Sequence, residues 1–229
     1  MDRVNSKEQL RIVFSILEPI MIKYGFIRCV VENLDTYSRK EPFGFSRIQF
    51  RFTQDGYLSF SKAVLSFFDV EKLIIDVKSP FNDYVPYIQK GYLPSTIHDS
   101  QGLLNYDVSL NPIRFRDKAE AFGHAYAEYL QTAGLAFIEK YSYLPNVLAE
   151  MDRLEKEGKL WHEILNGLAD YLFRGLIISK LCNDTAFLSK LEFCDHKFYN
   201  APHLVEWIPY YEKLKERLKE LEPRYTTNG

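Results

Sequence analysis

The sequence is poor in the features that announce a chemistry. It has three cysteines, Cys29, Cys182 and Cys194, odd in number and far apart, so no disulfide framework is expected. Its 11 glycines form neither a Gly-Lys-Ser/Thr phosphate loop nor a dinucleotide fingerprint. No Gly-x-Ser-x-Gly elbow occurs, which leaves an α/β-hydrolase without support. His162-Glu163 opens like a zinc-protease helix, but Asn166 stands where the second histidine belongs. The opening Met1-Asp2-Arg3-Val4-Asn5 lacks the apolar core of a signal peptide, and no apolar run approaches membrane-spanning length. A cytoplasmic location away from membranes is the expectation. Net charge is −2 with both signs interspersed, which argues against the concentrated basic footprint of nonspecific nucleic-acid binding. No cofactor is implied.

What the chain has is aromatic side chains, 17 Phe and 16 Tyr, and one strongly patterned stretch. Phe45 to Phe68 alternates β-branched and aromatic residues on both sides of Asp55-Gly56, a β-hairpin signal. Face matching puts Ile48, Phe50 and Phe52 with Leu58, Phe60 and Val64, because a slip of one residue would send each apolar side chain to water. A three-residue loop, Gln54 to Gly56, satisfies that register with Gly56 in the left-handed position. Arg47, Gln49, Arg51, Ser59 and Ser61 then share the opposite, solvated face. Two guanidiniums about 7 Å apart along a strand can grip a phosphate, a carboxylate or an acidic partner. This face is the candidate binding surface, with Phe45, Leu65 and Phe67 as its apolar border.

Around the hairpin the chain reads as α+β. A helix begins after Asn5 or Ser6 with Leu10, Val13, Phe14, Leu17, Met21 and Tyr24 as its apolar stripe, and Gly25 closes it. Extended pieces from Phe26 to Glu32 and from Leu34 to Arg39 complete an N-terminal helix on an antiparallel β-meander. Val70 to Val77 fits a short helix or a strand. Ser79 to Pro112 carries Pro80, Pro86, Pro94 and Pro112 among Tyr84, Tyr87, Tyr92 and Tyr106, and reads as a flap over the sheet edge, with Tyr106, Val108 and Leu110 as one more strand. A C-terminal α-helical bundle follows. Asp117 caps a helix to about Lys140 with Phe122, Tyr126, Tyr129 and Phe137 buried. Its small stripe, Ala119, Gly123 and Ala127, permits close approach by another helix and is expected to meet Gly167 and Gly175. Those two glycines lie in a central apolar helix from Leu160 to Leu181. Pro145 opens the helix before it, Asp184 caps the one after it, and Pro209 starts the last. The domain expectation is 1–114 for the meander part, 115–222 for the bundle, and 223–229 as a loose tail.

Cys182, Cys194, His196 and His203 are the one Cys/His grouping, but Cys182 lacks the close paired ligand of a structural zinc site, so no metal is expected. Tyr24-Gly25-Phe26, Tyr37-Ser38-Arg39, the strand Ile48-x-Phe50-x-Phe52 and the later Ala136-Phe137-Ile138-Glu139-Lys140-Tyr141-Ser142 occur in an order that resembles a bacterial family of uncharacterised α+β proteins. The resemblance implies an immunity or interaction role and carries over no functional residue.

These observations favour a non-enzymatic protein-binding role, with a toxin-like protein or a second copy of the chain as the expected partner. The alternative is a binding protein or enzyme for a small anionic ligand, with a pocket between Arg47/Arg51 and segment 79–112. RNA binding, with Tyr57 and Phe45 stacking bases, is a third reading.

Overall fold

The computed structural model describes residues 2–31, 34–52, 58–78, 80, 84, 92–100 and 114–225. The first helix, α1 (Ser6–Lys23), starts where Asn5 accepts a hydrogen bond from the Glu8 backbone N–H at 3.0 Å. Pro19 lies inside it, and the helix runs on to Lys23, where Gly25 with φ +77° turns the chain out. Arg39 fastens this turn by donating to the Tyr24 carbonyl at 2.9 Å, with its guanidinium 4.7 Å from the Phe26 ring.

The strands β1 (Ile27–Val31), β2 (Leu34–Glu41), β3 (Gly44–Phe52), β4 (Leu58–Phe67) and β5 (Ile97–His98) form one antiparallel sheet in sequential order. Cys29 faces Thr36, and Tyr37 faces Ile48. That register puts Tyr37, Ile48 and Phe50 on one face, where Phe14 of α1 meets Tyr37 at 5.8 Å and Phe50 at 5.6 Å, both edge-on. The hairpin loop 54–56 and the side chains of Phe52, Leu58 and Phe60 lie outside the described residues. So does the strand expected at Tyr106 to Leu110. Residues 70–77 are helical: α2 spans Phe68–Val77.

The helix expected from Asp117 to Lys140 is interrupted. Its first part, α3 (Arg116–Tyr129), follows Phe115 as the capping residue, with Asp117 inside the first turn. A π-helical turn, Leu130–Gly134, then leads into α4 (Leu135–Tyr141). One additional residue in a turn rotates everything after it. Ile138 is therefore buried where a continuous helix would have buried Phe137. The small stripe of α3 meets α1 and not the glycines of the later helix. A Cβ on Gly123 would come within 2.7 Å of Ile16 Cδ1.

Next come α5 (Leu144–Lys156), a 3₁₀ turn (Trp161–Glu163) and α6 (Asp170–Leu181). The expected helix from Leu160 begins ten residues late because Gly167, at φ +116°, is turned out of helical geometry. Leu165 forms an isolated bridge with Ile97. The chain ends with α7 (Phe187–Asn200), a 3₁₀ turn (Pro202–Trp207) and α8 (Ile208–Glu220). Arg224 and Tyr225 are not loose: both backbone N–H groups donate to the Leu181 carbonyl, at 2.8 and 3.0 Å. No helix among the described residues is long and apolar enough to cross a membrane.

The chain divides into two compact units, 1–65 with 99–140 and 66–98 with 141–229, rather than at residue 114. In the first, Phe14, Phe50, Tyr37 and Tyr126 form an aromatic core between α1, the sheet and α3. In the second, α6 is central, with Leu172, Phe173, Leu176, Ile177 and Ile178 all buried.

The two helical glycines should respond differently to alanine. In Gly175→Ala the new methyl meets the rigid Trp161 ring at 2.4 Å, and a loss of about 1–3 kcal/mol is expected. In Gly123→Ala it meets the movable end of Ile16, while the helix gains propensity, so stability should stay within about 1 kcal/mol of the parent. Urea denaturation midpoints of the two variants check this.

Candidate functional site

Of the arginine face expected to be wet, the two residues whose side chains are described, Arg47 and Gln49, are buried. Arg47 is fully enclosed and Gln49 nearly so, and Thr36, across the sheet on the same face, is buried as well. Strand β3 is thus covered on both faces from Ser46 to Phe50. The Arg47 guanidinium lies 5.0 Å from the Phe45 ring, so its charge is accommodated against an aromatic face and its long stem packs as an apolar group. In β3 the alternation sets Arg47 and Gln49 opposite Ile48 and Phe50, but polarity alone did not say which face was exposed. The side chains of Arg51, Ser59 and Ser61 lie outside the described residues, as does most of 79–112.

Another arginine, unremarked in the sequence, organises the second unit. Arg174 of α6 is 2% exposed and makes a two-pronged pair with Glu71 of α2, Nε to Oε1 and Nη2 to Oε2, both 2.8 Å. Its Nη1 donates to Asp170 Oδ2 at 2.6 Å and to the Asn166 carbonyl at 2.9 Å. Thr96 donates from Oγ1 to Glu71 at 2.8 Å and accepts from the Phe67 backbone N–H at 2.9 Å. Tyr84 reaches Asp170 at 3.4 Å. Burial opposes the guanidinium charge, but the two carboxylates outweigh it and hold the Arg174 pKa well above its ordinary value. With its donors spent on fixed partners, this network joins α2, α6 and the 92–98 segment rather than presenting a charge to a ligand. An arginine in a helix that is apolar on all sides was the available signal, since such a charge requires a buried acid.

A second cluster centres on Lys190 of α7, 2% exposed, which donates to Asp152 at 2.6 Å and Asp184 at 2.8 Å. Burial works against the Asp184 carboxylate, but hydrogen bonds from Lys190 and Ser179 lower its pKa below 3.8. In the first unit, burial pushes Lys62 down to about 8, against the pull of Asp99. Asp99 accepts from the Tyr129 hydroxyl at 2.7 Å. Cys182 and Cys194 are buried free thiols, each pushed up by desolvation, Cys182 to about 12, which makes them poor nucleophiles. They do not converge with His196 and His203 on a metal site: no cluster of metal-ligating side chains occurs among the described residues.

One open groove lies between α7 and α8. It holds about 470 Å³ and has Phe187, Leu188, Leu191 and Leu218 as its apolar lining. Charged residues of both signs share that lining, Lys180, Lys215 and Lys219 with Asp195, Glu212 and Glu216. Leu188 is 70% exposed. The spacing of Leu214, Leu218 and Leu221 among alternating Lys and Glu was legible as a mostly solvated helix. That the leucine side of α7 would leave an open channel beside it was not.

Comparison with family models, with curated proteins and with solved structures finds no match to this chain.

Removing the Arg174 charge leaves two buried carboxylates without their counter-ion, so Arg174→Met should cost about 3–5 kcal/mol in denaturant unfolding. The Lys190 cluster carries a pH signature. Asp184, with its pKa lowered on folding, contributes stability above the ordinary aspartate range and loses it as pH falls through its depressed value. The gap in melting temperature between the parent and Lys190→Met should therefore narrow as pH drops below 3.8. A gap that stayed constant down to acid unfolding would show that the Lys190–Asp184 pair contributes nothing.

Proposed function

We propose that this chain is a non-catalytic protein-binding protein, and that its partner lays an amphipathic helix into the groove between α7 and α8. The observation that carries the reading is the groove's anatomy, apolar side chains from two helices with charges of both signs beside them. A hydrophobic centre within a polar surround is the anatomy of protein interfaces, and helix-in-groove docking is a recurring way of using it. The mixture of signs matters. A nucleic acid or an anionic membrane selects a surface of one sign, whereas Lys180, Lys215 and Lys219 interspersed with Asp195, Glu212 and Glu216 match the mixed charge of a protein helix. The buried ionic groups Arg174, Glu71, Asp170 and Lys190 are held in pairs, which supports a structural use for them. An immunity-like role, in which the bound protein is a toxin kept inactive, would use the same surface.

Leu188 projects from the groove and stabilises little of the fold, so Leu188→Glu should leave the melting temperature unchanged. The test is affinity capture with the parent and the variant side by side, followed by titration of any retained protein. A partner whose affinity falls by at least about tenfold in Leu188→Glu supports the reading, in line with loss of one apolar anchor. A partner bound equally by both, or no saturable partner at all, ends it.

A further inference from the structure

A second groove in the helical unit differs from the first in its chemistry. It has about 500 Å³ of space and is bounded by the α6 start, the α7 end and the 3₁₀ turn that follows α7. Leu160, Leu172, Leu204 and Trp207 make its lining apolar. Apart from the Tyr171 phenol, the ionisable groups lining it are Lys197 and His203, both basic. Here the charge is of one sign.

Lys197 also stands apart from its neighbours. Lys190, Lys215 and Arg217 are each paired with carboxylates. Lys197 makes no ion pair among the described residues, and its ammonium rests 5.3 Å from the Phe193 ring. Lys197 is partly buried and lines the apolar channel. His203 is exposed beside it. A volume of this size is typical of small-molecule sites, which combine apolar walls with a few polar groups that fix orientation.

We propose that this groove binds an apolar monocarboxylate, a medium-chain acyl or aromatic acid, independently of the protein-docking groove. The carboxylate meets the Lys197 ammonium and His203, and the hydrocarbon lies along Leu160, Leu172, Leu204 and Trp207. Leu168, 73% exposed, borders the groove and would be covered by the ligand's tail. A lysine is suited to this task because its ammonium is a point charge on a flexible stem, able to follow a carboxylate at varying depth. The commitment to a carboxylate rests on charge complementarity: a cationic amphiphile would bring its head group against two basic side chains.

Trp207 supplies the readout. The chain has two tryptophans, and Trp161 packs against Phe193 and the Gly175 position instead of lining this groove. Decanoate and decyltrimethylammonium, each below its micelle concentration, and decanol, below its solubility limit, are titrated into the full chain while tryptophan emission is followed. Decanoate should give a saturable change, and the cation should bind at least about tenfold more weakly, as loss of a charge-assisted contact predicts. Lys197→Met keeps the apolar stem and should weaken decanoate by about tenfold while leaving decanol unchanged. Trp207→Phe should abolish the signal, with calorimetry showing decanoate binding retained. Equal affinity for all three probes, an unaltered decanoate affinity in Lys197→Met, or no saturable response would each overturn the proposal. Loss of decanoate binding in Lys197→Met would leave partner capture through Leu188 intact, so the two grooves are tested separately.

Discussion

The helical unit is tied together by the Arg174 guanidinium. One side chain on α6 takes up both oxygens of Glu71 on α2, an oxygen of Asp170 one turn earlier, and the Asn166 carbonyl in the segment before the helix. Through Thr96 the same carboxylate reaches the backbone of Phe67. Placing ions in a dry interior is costly, and the arrangement is tolerable only when geometry and hydrogen bonding are nearly complete. That requirement fixes where the elements can sit. A hydrophobic helix alone can rotate or slide among near-equivalent packings, whereas a two-pronged arginine–carboxylate pair has one geometry. Trp161 against the bare Gly175 backbone then sets the close packing on another side of α6.

The first unit is specified differently, by aromatic contact. Phe14, Tyr37, Phe50 and Tyr126 meet edge-on or tilted with centroids 4.9 to 6.2 Å apart. Arg28 covers the outer side of Phe14 at 3.8 Å. Rings of this kind tolerate small displacements while excluding water, which suits a sheet whose middle strand is covered on both faces.

Much of the fold was legible where a local rule had a single reading. Asn5 as a cap, Gly25 as a stop, the meander and Pro145 and Pro209 at helix starts follow from short-range sterics and hydrogen bonding. The misreadings came where two rules competed. Gly167 looked like a helix-packing glycine and is a left-handed turn, because spacing does not report φ. The π turn at 130–134 hides in an unbroken helical pattern. Burial of Arg47 was unreadable for a related reason: its long stem packs as an apolar group and its guanidinium lies against the Phe45 ring, so polarity at one position says little about exposure there. Neither open groove could be read from the chain, since each depends on how separate elements pack against one another. Only the exposed leucines that border them carry a trace, and an exposed leucine is common on any surface.

Gly167 ties these themes together in one further way. A Cβ there would stand 2.3 Å from Asp170 Oδ1 and 2.8 Å from Arg174 Nη1, on a backbone at φ +116°. The crowding is created by the ionic network itself. While the network stands, no side chain fits at 167. Exchanging the ionic core for an apolar one would remove the crowding but not the positive φ, so a side chain at 167 would still be strained. The position is closed twice over, once by the turn of the backbone and once by the ions packed against it.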